Sequence, residues 1–369
     1  MKKQIIIIGG GIVGSTAAYY LSTSKDTSVT LIDKGIGTAT RAAAGIISPW
    51  LSQRRNQNWY QLTAQGAAFY QQLMEDLTEA GVKQLPYKQT GTLVFKQKPE
   101  LLEKLYRLAV QRRTEAPMLG ELSILDAKGI RSHISDWQGT DGAVLTSGGG
   151  RVDGGALLDI LQELFVQNGG RMIKGEAHLL PNNIVAVGPE SLTYDHVLLT
   201  GGAWLPELLA PLSYQVDIRP QKGQLLEVKT DDNTNHWPGC MLQGEIDILP
   251  FEQGRLVIGA THEDKMGFDL EIDTKHIQHM KTTAEKMLPR IAQYPISAIR
   301  VGTRAYTSDY LPFYGPLADK SSIWVASGLG SSGLTSGPFI GWQIAQELQG
   351  KSTGFNRRPY SPNSYIIKK

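Results

Sequence analysis

The 369-residue chain lacks the features that mark secreted, metal-binding and membrane-spanning proteins. Cys240 is its only cysteine, which excludes an internal disulfide and a cysteine-rich metal site. The apolar run near the N-terminus stops after four residues, at Gly9, and is too short for a signal peptide. No stretch of about 18 apolar residues follows, so a membrane span is not expected. These absences predict a cytoplasmic protein.

A strong excess of charge of one sign is also missing. Lys and Arg number 37 against 35 Asp and Glu, and no basic segment resembles an arm for nucleic acid or lipid. The histidines are scattered, and His276 and His279, on one predicted helix face, are interpreted as surface residues. No His/Cys/Asp spacing typical of a metal site and no G-x-S-x-G motif occurs. We therefore expect no bound metal and no nucleic-acid partner.

The first residues have the pattern of a dinucleotide-binding turn. A short β-branched run, residues 4–8, predicts a buried parallel strand. Gly9, Gly11 and Gly14 then form G-x-G-x-x-G, in which glycine permits a tight turn, close approach of a pyrophosphate, and helix–strand packing. The apolar residues that follow predict a helix whose N-terminus favours phosphate.

A second predicted strand, residues 29–32, ends in Asp33, 19 residues after Gly14. A carboxylate at this position can accept hydrogen bonds from a ribose. The next stretch, residues 34–45, is rich in glycine and alanine, so its backbone can pack along an extended dinucleotide. These features predict a nucleotide-binding unit, for either NAD or FAD.

The rest of the chain is predicted from periodicity and turn residues. A helical face begins at residue 62 and ends at Gly81, which is a typical C-terminal cap. Residues 141–153, which contain three consecutive glycines, are predicted as a turn. Residues 171–180 are predicted as one strand.

From residues 34–45 onward, the chain resembles the D-amino-acid oxidase family of flavoproteins, which includes glycine oxidase, sarcosine oxidase and D-amino-acid dehydrogenases. The resemblance covers essentially the whole chain. Segments similar to family patterns occur in family order at residues 149–153, 197–204, 219–224, 254–261 and 302–316. The last segment is the most specific, because it matches the family pattern Gly-x-Arg-x-x-Thr-x-Asp-x-x-Pro-x-x-Gly-Pro.

The resemblance implies an α/β fold, in which a Rossmann-type FAD-binding domain is interleaved with an α+β substrate domain built on an antiparallel sheet. The FAD-binding domain is expected to comprise residues 1–55, 150–215 and 300–369, and the substrate-binding domain residues 56–149 and 216–299. FAD is expected to be bound non-covalently, because Cys240 lies away from the segments that would face the flavin.

The resemblance also implies a set of cofactor contacts. They are Gly9, Gly11, Ile12, Val13, Gly14, Asp33, Lys34, Arg41, Ala42, Ala43, Ala44, Gly45, Ala177, Thr200, Gly201, Trp204, Gly302, Gly330, Ser331, Ser332, Gly333, Leu334 and Thr335. Ala177 is expected to meet the adenine end through its backbone, whereas Trp204 is either a crevice residue or a core aromatic. A helix that begins near Ser332 is expected to direct its N-terminus at the flavin and to stabilise negative charge on the reduced ring.

By the same resemblance, Arg304 is the catalytic-site residue that holds the substrate carboxylate, since a guanidinium presents a planar donor fork. The alternative is a structural arginine paired with Asp309 or another acid. Two positions depart from glycine oxidase: Asp247 stands where that enzyme has a tyrosine, and Ser331 where it has an arginine. Arg54 is a further candidate for an anion contact, although a solvated arginine is the simpler interpretation.

The predicted function is oxidation of a small amine or amino acid by hydride transfer to FAD, which gives an imine that hydrolyses. Such chemistry needs no side-chain nucleophile or metal, because the protein only has to bind and orient the substrate and tune the flavin. Two alternatives stay open: an FAD-dependent 2-hydroxy-acid or glycerol-phosphate dehydrogenase, which needs a base, and a flavin-binding subunit without turnover. The sequence leaves open whether oxygen or another electron acceptor is used, and whether the chain forms a homo-oligomer.

Overall fold

The computed structural model describes residues 1–244 and 246–369. The α-helices are α1 (Ile12–Ser22), α2 (Gln57–Glu79), α3 (Pro99–Arg113), α4 (Ala127–His133), α5 (Gly154–Gln167), α6 (Leu205–Leu209), α7 (Thr274–Met287) and α8 (Gly333–Leu348). The β-strands are β1 (Lys3–Ile8), β2 (Thr27–Asp33), β3 (Ile46–Ile47), β4 (Tyr87–Gln89), β5 (Thr92–Lys96), β6 (Leu122–Leu125), β7 (Gly142–Thr146), β8 (Gly150–Val152), β9 (Arg171–Lys174), β10 (Ala177–Leu180), β11 (Ile184–Val187), β12 (Glu190–Thr193), β13 (His196–Leu199), β14 (Tyr214–Val216), β15 (Arg219–Lys229), β16 (Gly239–Met241), β17 (Asp247–Pro250), β18 (Arg255–Gly259), β19 (Ile296–Tyr306), β20 (Phe313–Pro316), β21 (Ile323–Ser327) and β22 (Ile366–Lys368).

The first large sheet has the strand order β20-β21-β13-β1-β2-β9. Its neighbours pair in parallel, except for the antiparallel edge pair β20–β21. The chain proceeds from β1 to β2 on one side, while β13 lies on the other side of β1. The strand order therefore reverses at β1, and in such sheets a ligand crevice lies beyond the carboxyl ends of the strands at this point.

Strand β1 is buried on both faces, as its run of isoleucines predicts. Ile5 and Ile7 belong to a core that also contains buried residues of α1, α5 and α8. Ile6 and Ile8 belong to a second core on the opposite face, with residues of β10, β11 and α6. Because successive side chains alternate between the faces, each core receives two of these four residues.

The second large sheet has the order β19-β15-β18-β17-β16-β5-β7-β6, and its pairs are antiparallel except for β5–β16. Helix α7 covers a separate core on this sheet. The long strands β15 and β19 place Gln221 directly opposite Arg304. Strand β19 also meets the segment after β2, because the Thr303 N–H donates to the Gly37 carbonyl oxygen at 3.2 Å. The edge of the second sheet therefore borders the crevice of the first.

Three predictions about local structure need correction. Residues 171–180 are not one strand: the chain leaves the first sheet after β9 and enters the separate sheet β10-β11-β12. Residues 141–153 are not one turn, because β7 and β8 flank a short turn of three residues. The predicted domain boundary at residue 300 falls inside β19, which belongs wholly to the second large sheet.

Candidate active site

A cleft runs along the carboxyl ends of the first sheet and continues to the second sheet. It consists of three adjoining cavities of about 390, 150 and 180 Å³, which we call the first, second and third cavity. The first and second cavities share Gly9, Asp33 and Trp204 among their lining residues. The second and third share Thr40 and Gly330. The shared walls make the cleft an extended, continuous space.

The glycines of the N-terminal motif have different roles in the cleft wall. Gly9 has a φ of 111°, and a side chain there would collide with the carbonyl of Thr200, the residue that follows β13. A side chain on Gly14 would collide with the Gly9 carbonyl oxygen, so this glycine permits close packing of α1 on β1. By contrast, the atom nearest to a Cβ on Gly11 would be Thr40 Oγ1, at 3.7 Å. Gly11 therefore leaves space within the second cavity.

Asp33 is held at the junction of the first two cavities. Its Oδ2 accepts a hydrogen bond from the Gly10 N–H, and its Oδ1 accepts one from the Gly35 N–H at 2.5 Å. A carboxylate has about four acceptor sites, so two bonds fix its orientation and leave capacity for hydroxyl donors in the cleft. The neighbouring Lys34 forms an exposed ion pair with Glu176, at 2.7 Å.

The segment of residues 39–46 forms one wall of the third cavity. Arg300 fastens this segment to β19: its Nη1 donates to the carbonyl oxygens of Arg41, at 2.8 Å, and Ala43, at 3.3 Å. The other terminal nitrogen of Arg300 lies 2.9 Å from Glu227 Oε1. Gly302 permits the close approach, because a Cβ there would lie 2.7 Å from the Cβ of Ala42.

The beginning of α8 forms a second wall of the third cavity, which Gly330, Ser331, Gly333 and Leu334 line. The Ser331 N–H donates to the Tyr306 hydroxyl at 3.0 Å. The Tyr306 ring packs against Gly330, where any side chain would collide with it. The positive end of the α8 dipole therefore faces the cavity.

Arg304 lines the third cavity from β19. Its Nη1 donates to Gln221 Oε1, at 2.9 Å, and to the Thr261 carbonyl oxygen, at 2.8 Å. The guanidinium lies over Gly223, because a Cβ on that glycine would be 2.7 Å from the guanidinium carbon and both terminal nitrogens. These contacts hold the planar group in a defined orientation within the cavity.

Asp247 lines the third cavity from β17. Burial raises the pKa of its carboxyl to about 7, and a hydrogen bond from the Leu242 N–H opposes that rise. The cavity thus contains a guanidinium and a carboxyl that changes charge near neutral pH.

The other predicted site residues divide into those that line the cleft and those that do not. Ala177 lines the first cavity, and Trp204 lines the first and second, with its ring centroid 4.8 Å from that of Phe268. Arg54 is exposed, and its guanidinium lies 4.5 Å from the centroid of the Trp59 ring. Arg54 is not among the described residues that line the three cavities. The Arg41 side chain points to Asp159, in an exposed ion pair of 2.5 Å.

Several residues in or next to the third cavity were not predicted from the sequence. Gln221 and Thr261 orient Arg304, and His262 lines the third cavity together with a neighbouring surface cavity of about 240 Å³. His276 and His279, predicted as surface residues, are exposed and line that neighbouring cavity. Gln221 could have been found only from the strand register, and the sequence around His262 carries no signal that we can identify.

The family model of FAD-dependent oxidoreductases known as DAO matches residues 4–347. The chain belongs to this DAO family. A Bacillus subtilis (strain 168) protein named "Uncharacterized oxidoreductase YurR" is 37% identical over 98% of both chains. Glycine oxidase of Pseudomonas putida is 25% identical over 99% of this chain and 100% of its own. The crystal structure of iminodiacetate oxidase from Chelativorans sp. BNC1 has a TM-score of 0.93 and 30% identity, over 97% of this chain and 98% of its own.

Family membership confirms the predicted fold class, the predicted cofactor FAD and the prediction of an enzyme. This DAO-family protein is an FAD-dependent oxidoreductase of the glycine and amino-acid oxidase group. The cleft is suited to an extended dinucleotide, because Gly11 leaves it open and Asp33 is fixed at its edge. Cys240 is buried in the core of the second sheet. Among the described residues, no helix is long and apolar enough to cross a membrane.

Proposed function

We propose that this enzyme oxidises a small amine or amino acid that carries a carboxylate, giving an imine that hydrolyses to a carbonyl compound and an amine or ammonia. The observation that carries the proposal is the oriented guanidinium of Arg304 in the third cavity. The names of two similar proteins, a glycine oxidase and an iminodiacetate oxidase, supply the substrate class. The compounds in these two names, glycine and iminodiacetate, are small amines that carry carboxylate groups.

The residues along the cleft are suited to the parts of FAD in order. The N-terminus of α1 and the space at Gly11 would receive the pyrophosphate, and Asp33 would accept hydrogen bonds from the ribose. Ala177 lies at the end of the cleft where the adenine would be held. Residues 42–45 and the start of α8 would lie along the flavin. When bound, FAD accepts two electrons and a hydrogen as hydride from a neighbouring C–H bond.

Arg304 would bind the substrate carboxylate through its planar donor fork. Gln221 and the Thr261 carbonyl orient the fork, so the side chain loses less conformational freedom when substrate binds. A carboxylate fixed in this way also fixes the substrate's α-carbon relative to the flavin, which is the main contribution a protein makes to hydride transfer. Ser331, at the start of α8, lines the same space and is a further candidate for substrate contact.

Oxidation of a 2-hydroxy acid is the second candidate, because it needs a base and Asp247 lies in the third cavity. An amine substrate is favoured over a 2-hydroxy acid because the two groups differ in how readily they give up a proton. A carboxylate whose pKa is about 7 takes a proton far more readily from an ammonium group than from an alcohol. The same cavity would therefore oxidise amines faster than the matching alcohols.

The test is anaerobic reduction of the FAD-loaded protein by a panel of compounds. The amines are glycine, sarcosine, D-alanine and iminodiacetate, and the alcohols are glycolate, D-lactate and glycerol 3-phosphate. We expect at least one amine to bleach the flavin absorbance fully and to yield the corresponding oxo acid. Bleaching by the alcohols alone, or by none of the compounds, would contradict the proposal. Mixing the reduced protein with oxygen then separates an oxidase from a dehydrogenase that needs another acceptor.

A further inference from the structure

We propose that Asp247 binds the ammonium group of the substrate and takes its proton before hydride transfer. This inference rests on the proposed amine oxidation and adds a proton acceptor to it. Its basis is the presence of a guanidinium and a carboxyl in one cavity of about 180 Å³, on separate strands of the same sheet. A free amino acid presents opposite charges in the same way, as a carboxylate and an ammonium group.

The placement of Asp247 follows from the second sheet. Asp247 begins β17 and pairs with Gly259 of β18, and Gly259 and Ala260 themselves line the third cavity. Arg304 reaches the same cavity from β19, beyond β18 and β15. The two groups therefore line one cavity from different strands, and in this proposal Arg304 takes the carboxylate end of the substrate and Asp247 the ammonium end.

Among the described residues, four segments of the chain carry the groups that line the cavity with Asp247 or contact it. Arg304 faces the cavity from β19, and His262 faces it from the segment after β18. Cys240, on the adjacent strand β16, lies close enough that the Asp247 charge adds to the burial that raises the pKa of its thiol. The Leu242 N–H donates to the Asp247 carboxylate. Burial is the largest influence on Asp247 itself and raises its pKa to about 7, so the carboxylate is available above neutral pH.

The proposed step balances in atoms and charge. An N–H bond of the ammonium group breaks, the proton forms an O–H bond with Asp247, and the electron pair stays on nitrogen. In the neutral amine the nitrogen lone pair would be free to form the C=N bond as the α-hydrogen leaves with its bond's electron pair, and FAD held in the cleft would supply the two-electron acceptor. Asp247 releases its proton to solvent after the product leaves. A substrate that is cationic in neutral solution can thus react without first losing its proton to water.

The first test is the pH dependence of anaerobic flavin reduction, by whichever amine of the panel reduces the flavin fastest, in the wild type and in Asp247→Asn, which keeps the shape and removes the proton acceptor. We expect the wild-type rate to rise to a plateau above about pH 7. The variant should depend on amine that is already neutral, so its rate should rise about tenfold per pH unit up to the pKa of the amine. Its rate relative to the wild type should be lowest near neutral pH and should approach the wild-type rate at high pH.

The second test measures binding without chemistry. 2-Aminoisobutyrate has an ammonium and a carboxylate but no α-hydrogen, and trimethylacetate has the same shape without the ammonium group. At pH 8, titrations followed by flavin absorbance should show about tenfold weaker binding of 2-aminoisobutyrate to Asp247→Asn than to the wild type. Trimethylacetate should bind the two proteins equally well or the variant more tightly.

A matched control is Asp26→Asn, which makes the same change at an exposed carboxylate. It should follow the wild type in both tests. A deficit of Asp247→Asn that is the same at every pH, or equal loss of both binding probes, would overturn the inference and leave amine oxidation standing. If no amine reduces the wild-type flavin, the proposed function fails first and this inference fails with it.

Discussion

The first two cavities and the third cavity are built in different ways. The first two are shaped largely by backbone: Gly9 and Gly14 permit close packing, Gly11 leaves space, and Asp33 is fixed by two backbone N–H groups. The third also has walls rich in glycine and alanine, but it adds two charged side chains from distant parts of the chain, Asp247 and Arg304. The backbone part can serve one cofactor across a family, whereas the side-chain part can change with the substrate.

Replacement of Gly11 by valine should have the largest effect and should be confined to the cofactor. The position is open, so the folded chain can hold the side chain, but the side chain occupies the space where the pyrophosphate would approach. We expect Gly11→Val to be purified without FAD while its far-ultraviolet circular dichroism stays native. Gly14→Ala is the contrast, because its methyl group would collide with the Gly9 carbonyl and folding itself should suffer. Full FAD occupancy in Gly11→Val would show that the pyrophosphate lies elsewhere.

Arg304→Lys should affect substrate and leave FAD in place. Lysine keeps the charge but loses the planar fork, and loss of one partner of a desolvated charge pair costs about 2–5 kcal/mol. Catalytic efficiency with carboxylate-bearing amines should therefore fall at least about tenfold. An amine of similar shape without a carboxylate should lose much less, as measured by anaerobic flavin reduction. Equal losses for the two kinds of amine would mean that Arg304 has a structural role.

Arg300→Gln tests the boundary between the two regions, because Arg300 fastens residues 41–43 to β19. Hydrogen bonds from a charged donor contribute about 1.5–3 kcal/mol, so FAD should dissociate roughly tenfold more readily. The control is Arg171→Gln, which breaks an exposed ion pair with Glu190 that is worth about 0–1 kcal/mol. Fluorescence of released FAD measures both. Identical FAD affinity in the two variants would show that Arg300 does not position the wall.

A further expected effect is on the pH dependence of stability. Because burial raises the pKa of Asp247 from 3.8 to about 7, the folded protein binds this proton more tightly than the unfolded chain. The resulting stability is present below about pH 4 and is lost as the pH rises through 7. Asp247→Asn carries no charge, so its melting temperature minus that of the wild type should become more positive between pH 4 and pH 8. A constant difference would mean that the Asp247 pKa is ordinary.

The strand–turn–helix unit at the first two cavities could be predicted because its signals are local. Residues 4–8 and Asp33 lie in strands β1 and β2, and the helix after the glycine motif is α1. Each feature depends on residues within one strand–turn–helix unit, so spacing along the chain reports it directly. The error at residues 171–180 has a matching cause, since an apolar pattern indicates a strand but does not reveal that the chain changes sheets.

The third cavity could be predicted only in part. The family motif indicates Arg304, but Gln221 and Thr261 lie 83 and 43 residues away in sequence and meet it only through the strand register. Asp247 is a departure from glycine oxidase in the sequence, yet its position in the same cavity as Arg304 depends on the order of four strands. For Arg54 the sequence suggests an anion contact, but the structure places its guanidinium on the Trp59 ring.

The most direct test of the central claim is the anaerobic reduction of the FAD-loaded enzyme by matched pairs of amine and alcohol, glycine with glycolate and D-alanine with D-lactate. Within each pair the carboxylate and the α-carbon are retained, so only the group that loses a proton differs. We predict that an amine bleaches the flavin absorbance at least about tenfold faster than its alcohol partner, because the Asp247 carboxylate takes a proton more readily from an ammonium group than from an alcohol. Faster bleaching by the alcohols in these pairs would contradict the assignment of the third cavity to amine oxidation.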